Sequence, residues 1–293
     1  MVIGGSGLLG GKIVMRLMEA GYSTSYSYFG NDILVPGANG YPLDLTDGES
    51  LIKLVRKTKP DLIVNSAALP SVDQCDKDKT LGFKVNAEPQ KIISETVGTA
   101  TTIAFISTSN VFGFSKIPFK EDDAPDPVST YGETKLLGER YTLTHKRHLI
   151  LRSDQIYGWT TKGQKKTFVE RCLEKLERNE PVEVCSDWYN CPTYADDVAI
   201  ALVRLVTGSH FGIFHSVGPT YLNRVEWAKR IAKAFGHDPG LVKAIDSSIL
   251  NLPAKRSNCA LDNEKIVRTS GHRFLSVDEG LERMKIARNT QHP

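Results

Sequence analysis

A tyrosine and a lysine four residues apart are the part of this chain best suited to chemistry. They are Tyr131 and Lys135, in the segment Tyr-Gly-Glu-Thr-Lys. Residues i and i+4 of a helix share a face, so this spacing places an ammonium beside a phenol. A neighbouring positive charge lowers the pKa of a phenol from about 10, which lets a tyrosine transfer protons near neutral pH. The spacing therefore predicts an acid–base pair, although ordinary helix surface often carries the same pattern by chance.

A hydroxyl suited to the same reaction lies upstream, in Ser107-Thr108-Ser109. The side chain of Thr108 could hydrogen-bond a carbonyl or alcohol that is being reduced or oxidised. Thr108, Tyr131 and Lys135 are the predicted catalytic residues.

A glycine-rich turn near the start of the chain predicts a nucleotide cofactor. An apolar segment precedes the turn, and the residues after it have helical apolar spacing, which is the context that a dinucleotide site needs. The turn would bring backbone N–H groups close to a pyrophosphate at the N-terminus of the helix. The turn spans residues 4–10, and its candidate cofactor-binding residues are Gly4, Gly7, Leu8, Leu9 and Gly10. A glycine-rich turn without a ligand is the alternative. Only three residues precede Gly4, fewer than a buried strand usually has, so we expect the sequence to start a few residues late.

The composition is typical of a soluble enzyme. The chain has 293 residues, 40% of them hydrophobic, which is enough for a large core or two lobes. A net charge of +3 is too small to indicate nucleic-acid binding. No apolar run approaches the roughly 18 residues of a membrane span, and the glycine turn interrupts any signal peptide. Five cysteines without Cys-x-x-Cys spacing predict reduced thiols in the cytoplasm and no metal site.

Predicted strands and helices alternate along the chain, which indicates an α/β fold with a Rossmann-type, doubly wound parallel sheet. Ligands of such sheets bind at the carboxyl ends of the strands. Gly4, Ala67, Thr108 and Ser153 each follow or end a predicted strand and should line one crevice. The predicted strands are 23–28, 61–65, 102–107, 148–152, 182–185 and 212–217, and the predicted helices are 47–59, 80–97, 128–144, 166–178, 194–206, 224–235 and 277–287.

The second half of the chain is less regular and predicts a smaller, interleaved lobe. Residues 1–157 and about 192–217 are assigned to the NAD(P)-binding Rossmann domain. About 158–191 and 218–293 are assigned to a substrate-binding lobe that caps the crevice.

The chain resembles the extended short-chain dehydrogenase/reductases in several segments, which are spread over essentially its whole length. Within that superfamily the chain is most similar to the dTDP-4-dehydrorhamnose reductase family, a branch that also contains the regulatory beta subunit of methionine adenosyltransferase. The matching segments are 4–10, 43–46, 61–68, 85–87, 106–113, 121–123, 131–135, 151–158, 192–199 and 256–262.

The resemblance implies a role for each matching position. Thr108, Tyr131 and Lys135 match the catalytic residues, and Lys135 also matches the residue that binds the nicotinamide ribose. The implied cofactor-binding residues are Gly4, Gly7, Leu8, Leu9, Gly10, Asp44, Leu45, Ala67, Ala68, Tyr131, Lys135 and Ser153. The implied substrate-binding residues are Thr108, Ser109, Asn110, Tyr131, Trp188 and Arg256. Asp44 could equally be a turn or helix-capping residue, Trp188 a packing residue and Arg256 a surface charge.

The chain departs from the family pattern at three places, and the first two fall near the expected sugar pocket. Ser109-Asn110 stands where the reductases typically have Asp-Tyr, Gln155 stands in the place of a tryptophan, and Ser257 replaces a proline after Arg256. The first two changes put rhamnose itself in doubt more than the fold or the hydride chemistry.

The end of the second predicted strand bears on the choice of cofactor. It reads Tyr-Ser-Tyr-Phe and carries no acid that would repel a 2′-phosphate, so NADP is favoured, with NAD possible. The first hypothesis is an NAD(P)H-dependent reductase of a nucleotide-linked 4-keto sugar. The alternatives are a non-catalytic NADP-binding regulatory subunit and a sugar-nucleotide epimerase. The predicted partners are the nucleotide sugar and, as a possible homodimer, a second copy of the chain.

Overall fold

The computed structural model describes residues 1–30, 35–115 and 117–291. Residues 31–34, 116 and 292–293, which fall inside the predicted domain ranges, lie outside the described residues. The described strands are β1 (Val2–Ile3), β2 (Ser25–Tyr28), β3 (Asn39–Pro42), β4 (Leu62–Asn65), β5 (Thr102–Thr108), β6 (His148–Ser153), β7 (Ile156–Tyr157), β8 (Val182–Cys185), β9 (Tyr189–Asn190), β10 (Thr193–Tyr194), β11 (Gly212–His215), β12 (Leu222–Asn223) and β13 (Val242–Ile245).

The described α-helices connect and cover these strands. They are α1 (Leu8–Glu19), α2 (Gly48–Thr58), α3 (Val72–Lys77), α4 (Lys79–Asn86), α5 (Glu88–Thr96), α6 (Thr130–Leu143), α7 (Phe168–Glu177), α8 (Ala195–Thr207), α9 (Arg224–Ala234), α10 (Glu264–Ser270) and α11 (Val277–Gln291). Short 3₁₀ turns occupy Ser109–Val111, Pro239–Leu241 and Ser247–Leu250.

Seven parallel strands form the central sheet, in the order β11-β6-β5-β4-β1-β2-β3. All seven residues of β5 and all four of β4 are buried, as expected for strands covered on both faces. One face packs on α1, α8 and α10, and the other on α2 and α5. The predicted Rossmann-type fold is confirmed.

A second core lies outside the sheet. Helices α7, α9 and α11 pack together with β8 and β13, around the buried indole of Trp227. Ile266 and Phe274, which fall in the range predicted for the smaller lobe, instead pack in the core of the sheet. The predicted domain boundaries stay a prediction.

The predicted single helix over 80–97 is wrong, because the chain forms two helices there. The first ends at Asn86, and the second begins with Glu88 and Pro89. Proline has no N–H and clashes with the preceding turn inside a helix, but it is tolerated in the first turn. The sequence interpretation also missed α3 and β3, which are short and have no strong periodicity.

The strand order reverses beside β1, which lies between β2 and β4. Ligands of doubly wound sheets bind at such a reversal, outside the carboxyl ends of the strands. The neighbouring strands β1, β4, β5 and β6 bring Gly4, Ala67, Thr108 and Ser153 to this edge. That all four line one crevice stays a prediction. Within the described ranges, no helix combines the length and hydropathy of a membrane span.

Candidate active site

The start of α6 places Tyr131 at the carboxyl edge of the sheet. Ser129 caps the helix by accepting a hydrogen bond from the N–H of Gly132 at 3.3 Å. A side chain at Gly132 would have its Cβ 2.2 Å from the carbonyl oxygen of Asn110, so only glycine allows this close approach. The approach packs α6 against the 3₁₀ turn that follows Thr108.

Thr108 is held as a hydrogen-bond donor. Its hydroxyl oxygen accepts from the N–H of Asn110 at 3.2 Å and from the Asn110 side-chain amide at 3.1 Å. A hydroxyl has two acceptor positions and one proton, so these two bonds leave the proton to donate. The phenol of Tyr131 lies close enough for hydrogen bonding by Thr108 to lower its pKa.

The expectation that Lys135 lowers the pKa of Tyr131 is wrong for this structure. Burial raises the pKa of Tyr131 to about 12, and the hydrogen bond from Thr108 opposes the shift. Burial disfavours the charged form of any acid, and here it dominates. Tyr131 is therefore a protonated phenol at neutral pH and suited to give a proton to an alkoxide.

Lys135 points at strand β5 rather than at open solvent. Its ammonium donates to the carbonyl oxygen of Ile106 at 2.7 Å and lies 3.9 Å from the ring centroid of Phe105. Only 1% of the residue is exposed. Burial lowers the pKa of Lys135 to about 7, and the charge of Glu139 opposes this shift.

The glycine turn has the geometry of an anion site. Gly4 has φ +75°, a left-handed conformation, and a Cβ there would meet Ala67 at 2.8 Å. Gly7 is the N-cap of α1 without a capping side chain, and the first turn carries no acid. A Cβ on Gly10 would lie 2.1 Å from the Gly4 carbonyl, so Gly10 is required for packing of the helix on the turn. Leu9 packs its side chain in the core, which leaves only its backbone to face a ligand.

A cavity of about 460 Å³ continues from the glycine turn along the sheet edge. Gly4, Asp44, Leu45, Ala67 and Ala68 line it, so the structure brings these predicted cofactor residues together. The carboxylate of Asp44 accepts from both the N–H and the hydroxyl of Thr46 at 2.8 Å, which is the turn role that the sequence left open. Ser153 lies at the other end of the edge, where its hydroxyl bonds Ser216 at 2.6 Å.

Arg256 and Trp188 contact each other outside the cavity that Gly4 lines. The guanidinium lies 5.1 Å from the indole ring centroid, and both residues line a second cavity of about 430 Å³. One guanidinium nitrogen bonds the carboxylate of Asp73 at 2.5 Å, and another bonds the Ala254 carbonyl at 2.8 Å. The sequence interpretation missed Asp73, which lies on the short helix α3.

Asp154 is a second acidic residue that the sequence interpretation missed. Its carboxylate accepts from the N–H of Cys191 at 2.7 Å and from the side chain of Asn190 at 3.5 Å. Burial raises its pKa to about 6, against the backbone hydrogen bond of Cys191 and the charge of Arg224. Ser109 is buried and directs its side chain to this carboxylate, whereas Asn110 bonds Thr108 and Ser257. A single polar residue after a strand gives no sequence signal of such a contact.

The sheet and the residues at its edge define the class of protein, a Rossmann-type NAD(P)-dependent oxidoreductase. Within that class, the chain belongs to the dTDP-4-dehydrorhamnose reductase family. The family described as "RmlD substrate binding domain" matches residues 1–288.

Relatives and solved structures agree with this assignment. The dTDP-4-dehydrorhamnose reductase of Sinorhizobium fredii is 30% identical over 255 residues, which are 82% of this chain and 85% of that protein. The crystal structure of a hypothetical dTDP-4-dehydrorhamnose reductase from Sulfolobus tokodaii superimposes with a TM-score of 0.83 at 32% identity, covering 94% of this chain and 97% of the other. The Bacillus anthracis dTDP-4-dehydrorhamnose reductase in complex with NADP shares the fold, with a TM-score of 0.80, 24% identity and 98% of each chain covered.

Replacement of Gly7 by valine tests the turn as a cofactor site. Gly7→Val should weaken binding of NADP(H) or NAD(H) by ~100-fold or more from a micromolar affinity, because the side chain fills the space of the pyrophosphate. The fold should survive, since a Cβ at Gly7 would meet only the Gly4 carbonyl at 3.4 Å. An apolar N-cap costs about 1 kcal/mol.

Calorimetric titration and thermal melting measure the two effects. Gly98→Ala is the matched control, because a Cβ there has no atom within 4 Å and the residue lies away from the turn. Unchanged affinity in Gly7→Val would contradict this placement of the cofactor, and absence of binding to the unaltered protein would contradict the site itself.

Proposed function

We propose that the protein is an NAD(P)H-dependent reductase of a nucleotide-linked 4-keto sugar. The observation that carries the proposal is the arrangement of Thr108, which accepts two hydrogen bonds from Asn110 and so keeps its proton to donate, beside the phenol of Tyr131 whose pKa it lowers. A hydroxyl donor next to a protonated phenol suits the reduction of a carbonyl. The hydroxyl can hydrogen-bond the carbonyl oxygen, and the phenol can protonate this oxygen as it gains negative charge.

The residues of the cavity support a dinucleotide as the cofactor. The uncapped N-terminus of α1 offers backbone N–H groups without a competing acid, and the cavity along the sheet edge has room for an adenosine. Ser27, Tyr28 and Phe29 also line the cavity and bring no acid that would repel a 2′-phosphate, which supports NADP over NAD. Asp44 lines it as well, but its carboxylate bonds Thr46. When bound, the reduced nicotinamide supplies the hydride.

We assign the protein's own groups to the remaining tasks. Thr108 orients the carbonyl by hydrogen bonding, and Tyr131 donates the proton to the oxygen. Lys135 supplies positive charge behind Tyr131 and binds the ribose. Arg256 forks onto the diphosphate of the substrate, with Trp188 as the surface that holds its side chain. The lobe formed by 158–191 and 218–293 selects the sugar.

Replacement of the phenol tests the acid. Tyr131→Phe should lower turnover by ~10²–10⁴, the usual contribution of a general acid, and should change cofactor affinity little. Tyr141→Phe on the same helix is the matched control and should keep full turnover. The measurement is the loss of reduced-nicotinamide absorbance with a 4-keto-sugar nucleotide.

The same assay separates the alternatives. Steady consumption of NADPH indicates a reductase, epimerisation gives no net consumption, and a regulatory subunit gives none. Retained turnover in Tyr131→Phe would reject Tyr131 as the proton donor.

Replacement of Arg256 tests the diphosphate contact. Arg256→Ala should raise KM about ten- to a hundredfold, because a charged hydrogen bond contributes ~1.5–3 kcal/mol. Arg256→Lys should recover only part of the loss, since a point charge cannot form the bidentate fork. Cofactor affinity should not change.

Asp73→Asn is the control for the ion pair that Arg256 makes in the free protein. It removes the charge of Asp73 and keeps the guanidinium. An increase in KM for Arg256→Ala but not for Asp73→Asn supports the diphosphate contact. Equal increases in both variants would show that only the ion pair matters.

A further inference from the structure

An ion pair lies in the interior of the protein, directly behind the candidate catalytic residues. Glu139 of α6 and Arg152 of β6 have side chains that are 1% and 2% exposed. The carboxylate accepts from two nitrogens of Arg152, at 2.8 and 3.0 Å. It also accepts from the hydroxyl of Ser107 at 2.5 Å.

Stability alone gives little reason for this pair. Removing two charges from water costs about as much as their attraction returns, and apolar side chains of similar size often serve as well. The position of the carboxylate points to another role. Glu139 lies one helical turn beyond Lys135, so the two side chains share a face of α6.

Both side chains are also tied to the last residues of β5. Lys135 bonds the carbonyl of Ile106, and Glu139 bonds the hydroxyl of Ser107. The next residue is Thr108. The two contacts therefore fix α6 along the strand immediately before the position where Tyr131 meets Thr108.

We propose that Glu139 is a positioning residue for Lys135, whose buried ammonium it keeps charged and seated on β5. The proposal rests on the role that the proposed function gives to Lys135.

Among the groups around Lys135, the carboxylate of Glu139 supplies the negative charge that stabilises the ammonium. From α3 the buried thiol of Cys75 faces it, and burial raises the pKa of this thiol to about 11, so it is neutral at pH 7. Arg152 and, from β11, His215 stand behind Glu139. Burial lowers the pKa of His215 to about 3, so that ring is neutral too. Burial also brings the pKa of Lys135 to about 7, where loss of one negative charge decides whether the amine is protonated.

The test is a titration of Lys135 in the free protein, without cofactor or substrate. Protein labelled with ¹³C at the lysine Cε is followed by NMR across pH, and the resonance is assigned by its loss in Lys135→Met. Glu139→Gln should lower the titration midpoint of Lys135 by about 1–3 pH units, the usual effect of an adjacent opposite charge. Ser107→Ala is the matched control, because it removes one hydrogen bond to Glu139 but no charge, and its midpoint should not move.

A second variant keeps the test decisive if Glu139→Gln fails to fold with Arg152 left unpaired. Glu139→Gln/Arg152→Gln removes both buried charges and should still lower the midpoint, by less than Glu139→Gln alone, because loss of the positive charge of Arg152 acts in the opposite direction. An unchanged or raised midpoint in whichever variant folds overturns the proposal, as does an equal shift in Ser107→Ala.

Turnover then distinguishes this proposal from the proposed function. If Lys135 acts in its charged form, the alkaline limb of the kcat/KM profile moves to lower pH in the Glu139 variant, and activity recovers on acidification. A lowered midpoint with an unmoved profile supports the link between Glu139 and Lys135 and rejects the catalytic role of Lys135.

Discussion

The hydrogen bond from Lys135 to the carbonyl of Ile106 ties the main helix of the site to its main strand. A buried ammonium is costly to desolvate, so it is retained only where polar groups receive it. Here the strand carbonyl and the face of Phe105 do so. This bond fixes the position of α6 along β5. The first turn of α6 therefore lies at the end of β5, where Tyr131 is next to Thr108. The sheet thus determines the positions of the catalytic side chains.

The site also depends on polar contacts between the sheet edge and the second half of the chain. Gln164 donates to the carbonyl of Ser6 in the glycine turn at 2.8 Å. Asp154 bonds the backbone of Cys191, and Asp73 pairs with Arg256. Each contact joins a residue near the sheet edge to the irregular second half of the chain. Polar contacts of this kind exchange readily with a ligand's polar groups, which suits a crevice that must admit a charged substrate.

The sequence predicted the parts of this arrangement that follow from backbone periodicity. Apolar strands and glycine turns placed Gly4, Ala67, Thr108 and Ser153 on one edge, because parallel strands end on the same side. The sequence could not predict contacts between side chains that are distant along the chain. Nothing local marks Asp73 as the partner of Arg256, and nothing in Tyr-x-x-x-Lys shows that burial controls the pKa of the tyrosine.

The effect of burial on the two pKa values determines how Tyr131 and Lys135 work together. Burial is the largest influence on both groups, and it favours the uncharged form of each, with the pKa of Tyr131 raised to about 12 and that of Lys135 lowered to about 7. A neutral phenol is the form that a reductase needs at the start of its cycle, since the proton must still be on the oxygen when the carbonyl accepts hydride. A charged lysine is the form that stabilises the phenolate left behind. Tyr131 meets the first condition, since its pKa is raised further above neutrality. The second condition depends on the negative charge that the fold places one turn beyond Lys135.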